Sequence, residues 1–202
     1  SNQQTDVGAR VEGSDVLGRH AYRATVTWTV ARPAVEMPMA SSARPNLDVS
    51  YVYGRWRQTV LVSASDTLES VALIDRLSGR VVRADARDRQ LFAGVLVAWR
   101  RVRLSQSWLA GVALDHERFV SPSAIPARNR NALRSAWTLN SSRLYGYSIS
   151  SEDGIRSTAT IERVTPALGA DGSATSATVD LRAYLPGGPL HSVVAVRLAS
   201  GV

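Results

Sequence analysis

The sequence contains no cysteine and no lysine. The first absence removes disulfide frameworks, thiolate metal sites and cysteine nucleophiles together, and leaves the compartment open. The second means that a net charge of +7 rests on arginine alone, which reflects genomic base composition as much as a selected basic surface. The arginines are spread along the chain, mostly at turns and in alternation with apolar residues. Nucleic-acid binding calls for a basic stripe with interleaved aromatics, so no nucleic-acid partner is expected. A run of about 18 apolar residues is also missing, which excludes a transmembrane helix. It does not exclude a membrane, because a spanning β-strand needs only about 9 to 11 residues with every second one apolar. Ser1–Ser14 is polar and has no apolar signal-peptide core; either the protein is not exported or a leader precedes Ser1.

What the chain does contain is alternation. With 202 residues and 45% hydrophobic content it is expected to fold, as one large all-β domain or two small ones. The stretch Gln90–Asp115 reads as a β-hairpin. Leu91, Ala93, Val95, Val97 and Trp99 share one face, and a return across Arg101-Val102 places Leu104, Gln106, Trp108, Ala110, Val112 and Leu114 on that same face. The opposite face mixes small, polar and a few large residues.

Taken in order, Ser1–Val16 has no period and is expected to be a loop or frayed end, leaving residues 17–202 as the folded part. Strands are expected over His20–Val30, Leu47–Tyr53, Arg57–Ala64, the two arms of the hairpin, Asn131–Leu139, Ile155–Arg163, Thr175–Leu185 and His191–Ser200. That gives about nine, with the facing of 57–64 ambiguous and no helical pattern in competition. The connections sort by length. Gly54–Trp56, Arg100–Arg103 and Pro186–Pro189 are short, whereas those around 31–46, 65–89, 116–130 and 165–174 are long. The polar connection at 65–89 either extends its strands into solvent or folds as a short hairpin of its own. Residues 140–154 should belong to the short set and are the exception. Short turns at one end and long loops at the other characterise a meander that spans a bilayer; a soluble sandwich has no reason to sort its loops.

Two environments could cover the apolar face. A soluble barrel would turn it inward and leave charged residues outside. Here the second face is Ser, Thr, Ala, Gly and Arg with occasional Asp and Glu, a composition for a wet lumen. The expected lipid-facing residues are Trp28, Tyr51, Val95, Trp99, Trp108, Val112, Trp137, Val179 and Leu181. The expected lumen residues are Arg23, Arg134, Arg156, Asp180, Arg182 and Arg197. Trp99, Trp56 and Tyr53 beside short turns match one interfacial belt, while Trp108 inside its strand and Gln106 on the apolar face run against the pattern. The fold class expected is therefore all-β, an antiparallel up-and-down meander forming part of a transmembrane barrel and not closed alone.

Residues 136–201 strengthen this reading. Ala136-Trp137-Thr138-Leu139-Asn140-Ser141-Ser142-Arg143, then Ser150-Ser151-Glu152-Asp153-Gly154 leading into a strand, then TVDLRAYLPGGPLHSVVAVRLASG resemble the Omp85 superfamily, the bacterial surface-antigen barrels of the BamA and TamA type. Ser151 stands where that family usually has Pro. The family's V-R-G-F loop motif, its POTRA repeats and its closing strands are absent from the chain. The resemblance covers about a third of the residues. It implies a bacterial outer-membrane location, a barrel of sixteen strands of which these are an interior set, and a role in inserting or translocating client outer-membrane proteins. The partners implied are membrane lipid, client proteins and the missing strands of the same barrel.

Other chemistry finds little support. Asp115-His116-Glu117 alternates across a strand, so only Asp115 and Glu117 converge. No G-x-S-x-G elbow is present. Gly169-Ala170-Asp171-Gly172 is a loop signal before it is a Ca²⁺ site, and Asn140-Ser141-Ser142 fits a glycosylation sequon without meaning in a bacterial periplasmic turn. The lumen arginines either line an anion-favouring path or pair with Asp48, Asp180 or Glu162. No catalytic residue, metal or cofactor is expected. The competing functions are a soluble β-barrel holding an apolar ligand and a barrel-embedded hydrolase.

Overall fold

Alternating Val, Thr, Tyr and Trp favour a pleated, half-covered surface over any helix. In the computed structural model, which describes residues 5–31, 44–55, 57–74, 81–121, 126–143, 153–187 and 192–202, they form one antiparallel sheet of eleven strands. These are β1 (Thr5–Ser14), β2 (His20–Ala31), β3 (Asn46–Tyr53), β4 (Gln58–Ile74), β5 (Val81–Arg101), β6 (Leu104–Ser121), β7 (Arg128–Asn129), β8 (Ala132–Asn140), β9 (Gly154–Val164), β10 (Ala174–Pro186) and β11 (Val193–Gly201). The order in space is the order in sequence, except that the two-residue β7 pairs beside β6 and lies off the main path. The fold is an all-β meander that is not closed: β1 and β11 each have a strand neighbour on one side only. Among the described residues the sole helical element is a 3-10 turn at Pro166–Leu168, capped by Thr165 and ended by Gly169 at φ 85°.

Several expectations change. The stretch expected to be a loop at Ser1–Val16 contains β1, whose Val7, Ala9 and Val11 pair with Trp28, Val26 and Ala24. The strands number more than the nine expected, because β1 and β7 join the sheet. Of the two outcomes expected for the polar connection at 65–89, an extension of the strands or a separate short hairpin, the structure has the first: β4 runs on to Ile74, and β5 begins at Val81. Charged residues enter both faces just beyond the apolar band, Asp66, Arg87 and Arg89 on one and Glu69 and Asp88 on the other, which breaks the alternation. The hairpin pairs Arg101 with Leu104, so its turn is Val102-Arg103 and not Arg101-Val102. The described ends of the overlong connection after β8 pair with each other: Ser141 N–H donates to Ile155 O at 2.8 Å, and Arg143 bridges Asp153. Gly154 makes this possible. Its φ is 106°, and a Cβ there would lie 2.5 Å from Ser141 O. Trp56, His191 and half of the turn at 186–189 lie outside the described residues.

The register settles the facing of every described strand, including 57–64, where Val60 and Val62 share a face with Tyr53 and Tyr51. Burial is confined to the polar face. Ala86, Ala113, Phe119, Ala132 and Val164 are the buried hydrophobic side chains within the described strands, all at the long-loop end of that face, and Ala170 packs with Ala132 and Val164 from the loop after β9. Further along this face, Gly94 and Gly111 pair directly. The Phe92 ring lies over both, within 2.7 Å of where either Cβ would be.

Candidate functional site: the two faces of the sheet

Because side chains alternate and paired residues point the same way, the ladder assigns each residue to a face. Tyr22, Tyr51, Val62, Ala93, Val112 and Leu133 form one row across six strands. Trp28, Tyr51, Val95, Trp99, Trp108, Val112, Trp137, Val179 and Leu181 all fall on this face. Except for Val112, which is half-buried, they are between 36% and 49% exposed. The large apolar side chains exposed elsewhere are those of Val16, Leu17, Val102 and Val202, in turns or at the chain end, and Val120 at a bulge. Arg23, Arg134, Arg156, Asp180, Arg182 and Arg197 fall on the other face.

The apolar face has a measurable height and slope. On β5 it runs uncharged from Leu91 to Trp99, between Arg89 and Arg101. A row starting at Ala21, beside the turn joining β1 and β2, crosses Val52, Leu61, Gly94, Gly111, Arg134 and Glu162. It arrives at Ser176, ten residues short of Pro186 at the turn into β11. At ~3.3 Å per residue and ~4.8 Å per strand, the short turns drift by about 33 Å over about 34 Å of sheet, a slope of roughly 45°. Set at that tilt, the distance from Arg101 to Arg89 spans about 28 Å along the normal. A membrane strand tilts by about 35–45°, and the hydrocarbon is about 30 Å thick.

Aromatic residues gather at one margin. Tyr22, Tyr51, Tyr53, Trp99, Trp108 and Trp137 lie toward the short turns, and Trp28 lies toward the long loops. Both departures from the pattern have local explanations. The Trp108 indole N–H donates to Ser135 Oγ at 2.8 Å, so it is not left unpaired. Gln106 pairs with Trp99 and Leu139 two residues from the start of β6, at the aromatic margin.

The polar face is held by partners. Arg134 donates to Glu162 at 2.7 Å and to Asp115 at 3.0 Å, and Arg130 donates to Glu162 at 2.6 Å. Asp180 accepts from Arg182 and from Arg197, each at 3.0 Å through Nε. Hydroxyl pairs Ser107–Thr138 and Thr160–Thr178 fill the spaces between. Of the expected acidic partners, Glu162 and Asp180 are engaged, while Asp48 has no ion pair among the described residues. Two further partners carry no signal in the sequence: Asp115, and Glu12, which approaches Arg23 at 3.5 Å from β1.

At the long-loop end of this face, residues 126–131 and 165–173 close over the buried residues. Asn131 accepts from the Asp115 N–H at 3.2 Å and donates to Leu168 O at 2.7 Å, and its own carbonyl accepts from the Thr165 N–H. Asp171 accepts from the Asn129 N–H at 2.6 Å. Thus Gly169-Ala170-Asp171-Gly172 serves as a fold contact. At the other end, Asp15 in the first short turn accepts the His20 N–H at 2.8 Å, which holds its carboxyl below the usual range.

His116 sits on the apolar side, bonded through Nδ1 to Asn129 Oδ1 at 2.7 Å, and His20 meets the Tyr51 hydroxyl at 2.7 Å. Neither His is bonded to a serine. Among the described residues no group of three or more His, Asp or Glu converges as metal ligands. No helix of the described residues is long and apolar enough to cross a membrane, which leaves spanning strands open. Comparisons with protein-family models, curated proteins and solved structures gave no match.

Proposed function

We propose that this sheet is a contiguous part of a transmembrane β-barrel of a bacterial outer membrane, completed by further strands along β1 and β11. The observation that supports it is the apolar face: uncharged for about 28 Å along the normal, sloped at roughly 45° and edged by aromatics. Among the described residues nothing covers that face. In water an exposed apolar area ten strands wide would drive association; in a bilayer its neighbour is acyl chain. The other face, with its paired arginines and hydroxyl ladders, is the wall of a wet lumen.

The Omp85-type resemblance of residues 136–201 supports a role in inserting or translocating outer-membrane proteins. It falls on β8 to β11 and on the paired ends of the connection at Gly154. Bilayer insertion is tested by reconstituting the intact protein into vesicles whose acyl chains are brominated, with tryptophan fluorescence as the readout. Quenching is expected from Trp108 and Trp137; a protein that stays monodisperse in plain buffer and unquenched overturns the reading. The assembly role has its own test. Vesicles bearing the protein should accelerate insertion of an unfolded barrel client, and an unchanged rate removes that role while leaving the barrel.

A further inference from the structure

Toward the long loops, the apolar band of β5 and β6 ends on basic side chains that stay on the same face. Arg89 is directly opposite His116, and Arg87 is directly opposite Arg118, immediately beyond the Leu91–Leu114 pair. Asp66 on β4 takes up Arg87 in a close ion pair and reaches one edge of Arg89 at 3.3 Å. Arg87 is held further by Pro45 O at 3.0 Å. Arg89 remains 53% exposed. Arg118 is exposed and has no ion pair or hydrogen bond among the described residues. Like charges directly opposite on paired strands repel, and Asp66 does not offset Arg118.

Their height suggests what does. Arg89 lies about 28 Å along the normal from Arg101, where hydrocarbon about 30 Å thick gives way to headgroups, and Arg118 is one step further out. We propose that Arg89 and Arg118 bind the phosphate of an anionic lipid in the leaflet at the long-loop end, with its acyl chains lying along Leu91 and Leu114. This rests on the apolar face being lipid-facing. Guanidinium groups match phosphate oxygens in paired, charge-assisted hydrogen bonds. The continuity of the basic cluster with the apolar band selects a lipid over a free anion.

The test uses the intact protein in nanodiscs of mixed phosphatidylcholine and phosphatidylglycerol, with the lipids retained on release counted by native mass spectrometry. Retention of phosphatidylglycerol over phosphatidylcholine is expected. Arg118→Gln should lower that preference about fivefold and Arg89→Gln/Arg118→Gln further, with partial rescue by Arg118→Lys. Equal retention by the native chain and the double variant overturns the site. Displacement of the retained lipid by inorganic phosphate alone would make a free anion the ligand and overturn the lipid assignment. Brominated-lipid quenching on the same sample reports insertion separately, so failure of the membrane reading is distinguishable from failure of this one.

Discussion

Val95 and Arg134 lie on neighbouring parts of one sheet and meet opposite conditions. Val95 is flanked across the ladder by Val60 and Ala110, remains 41% exposed, and has no second layer over it among the described residues. Arg134, exposed to a similar extent, is fixed by two carboxylates. A soluble sheet would cover the first residue and leave the second to water. Here the apolar residue is left to the surroundings and the charged one is satisfied within the protein. This is the distribution a bilayer outside and a wet interior would select.

The most direct way to break the comparison is to place a charge on each face. Val95→Arg, near the middle of the band, is expected to destabilise the lipid-refolded protein by about 2–4 kcal/mol. Ser107→Arg, on the polar face, should cost about 1 kcal/mol or less, the loss of its hydroxyl pair with Thr138. Urea titration of refolding in vesicles measures both. Equal costs would mean that the two faces see the same medium.

A second contrast sets the loop-covered end of the polar face against everything else. Asn131→Ala removes two bonds that join β6 to the 165–173 loop and leaves a backbone donor and acceptor without their partner. A loss of about 2 kcal/mol is expected. Hydrogen exchange should speed up in 126–131 and 165–173, with the apolar-face tryptophan emission unchanged. Exchange that rises uniformly along β5 and β6 would show that the loop cluster and the sheet are one cooperative unit. Nearer the middle of the same face, Gly111→Ala would bring a Cβ within 2.6 Å of Ala93 O and 2.7 Å of the Phe92 ring. Overpacking there should cost about 1–2 kcal/mol, measured by the same titration.

The face assignments were legible in the sequence because a side-chain period of two leaves little choice once a short turn fixes the register. Val95 and Trp108 needed nothing more. β1 was not legible: its apolar positions are Val7, Ala9, Val11 and Gly13, and Gly8 interrupts the polar side, so no contrast marks the period. The outer halves of β4 and β5 were hidden for another reason. Just beyond the apolar band charged residues stand on both faces, Asp66, Arg87 and Arg89 on one and Glu69 and Asp88 on the other, so hydrophobic alternation breaks while the ladder continues from Asp66–Arg89 to Ile74–Val81. The cluster of Asn129, Asn131 and Asp171 depends on contacts 37 to 42 residues apart, which no local pattern encodes. Asp115 as a partner of Arg134 required the β6–β8 register, in which Gly111 pairs with Arg134.

The smallest effect tests the one side-chain hydrogen bond that the apolar face gives to an indole. Trp108 lies four residues from the start of β6, about 13 Å along the tilted strand and about 9 Å along the normal from the short-turn level. Ser135→Ala leaves its N–H without the 2.8 Å acceptor. Were that position in dry hydrocarbon, the unpaired donor should cost about 1 kcal/mol or more; at the aromatic margin, water and ester carbonyls replace the serine and the cost shrinks. A double-mutant cycle of Ser135→Ala with Trp108→Phe isolates the pair. Because six aromatics gather toward the short turns, the expected coupling is below about 0.5 kcal/mol in vesicles of ordinary thickness. It should grow if thicker lipids carry the margin past Trp108. A coupling that stays constant as thickness changes would place Trp108 away from any interface and remove the aromatic belt from the argument for the apolar face.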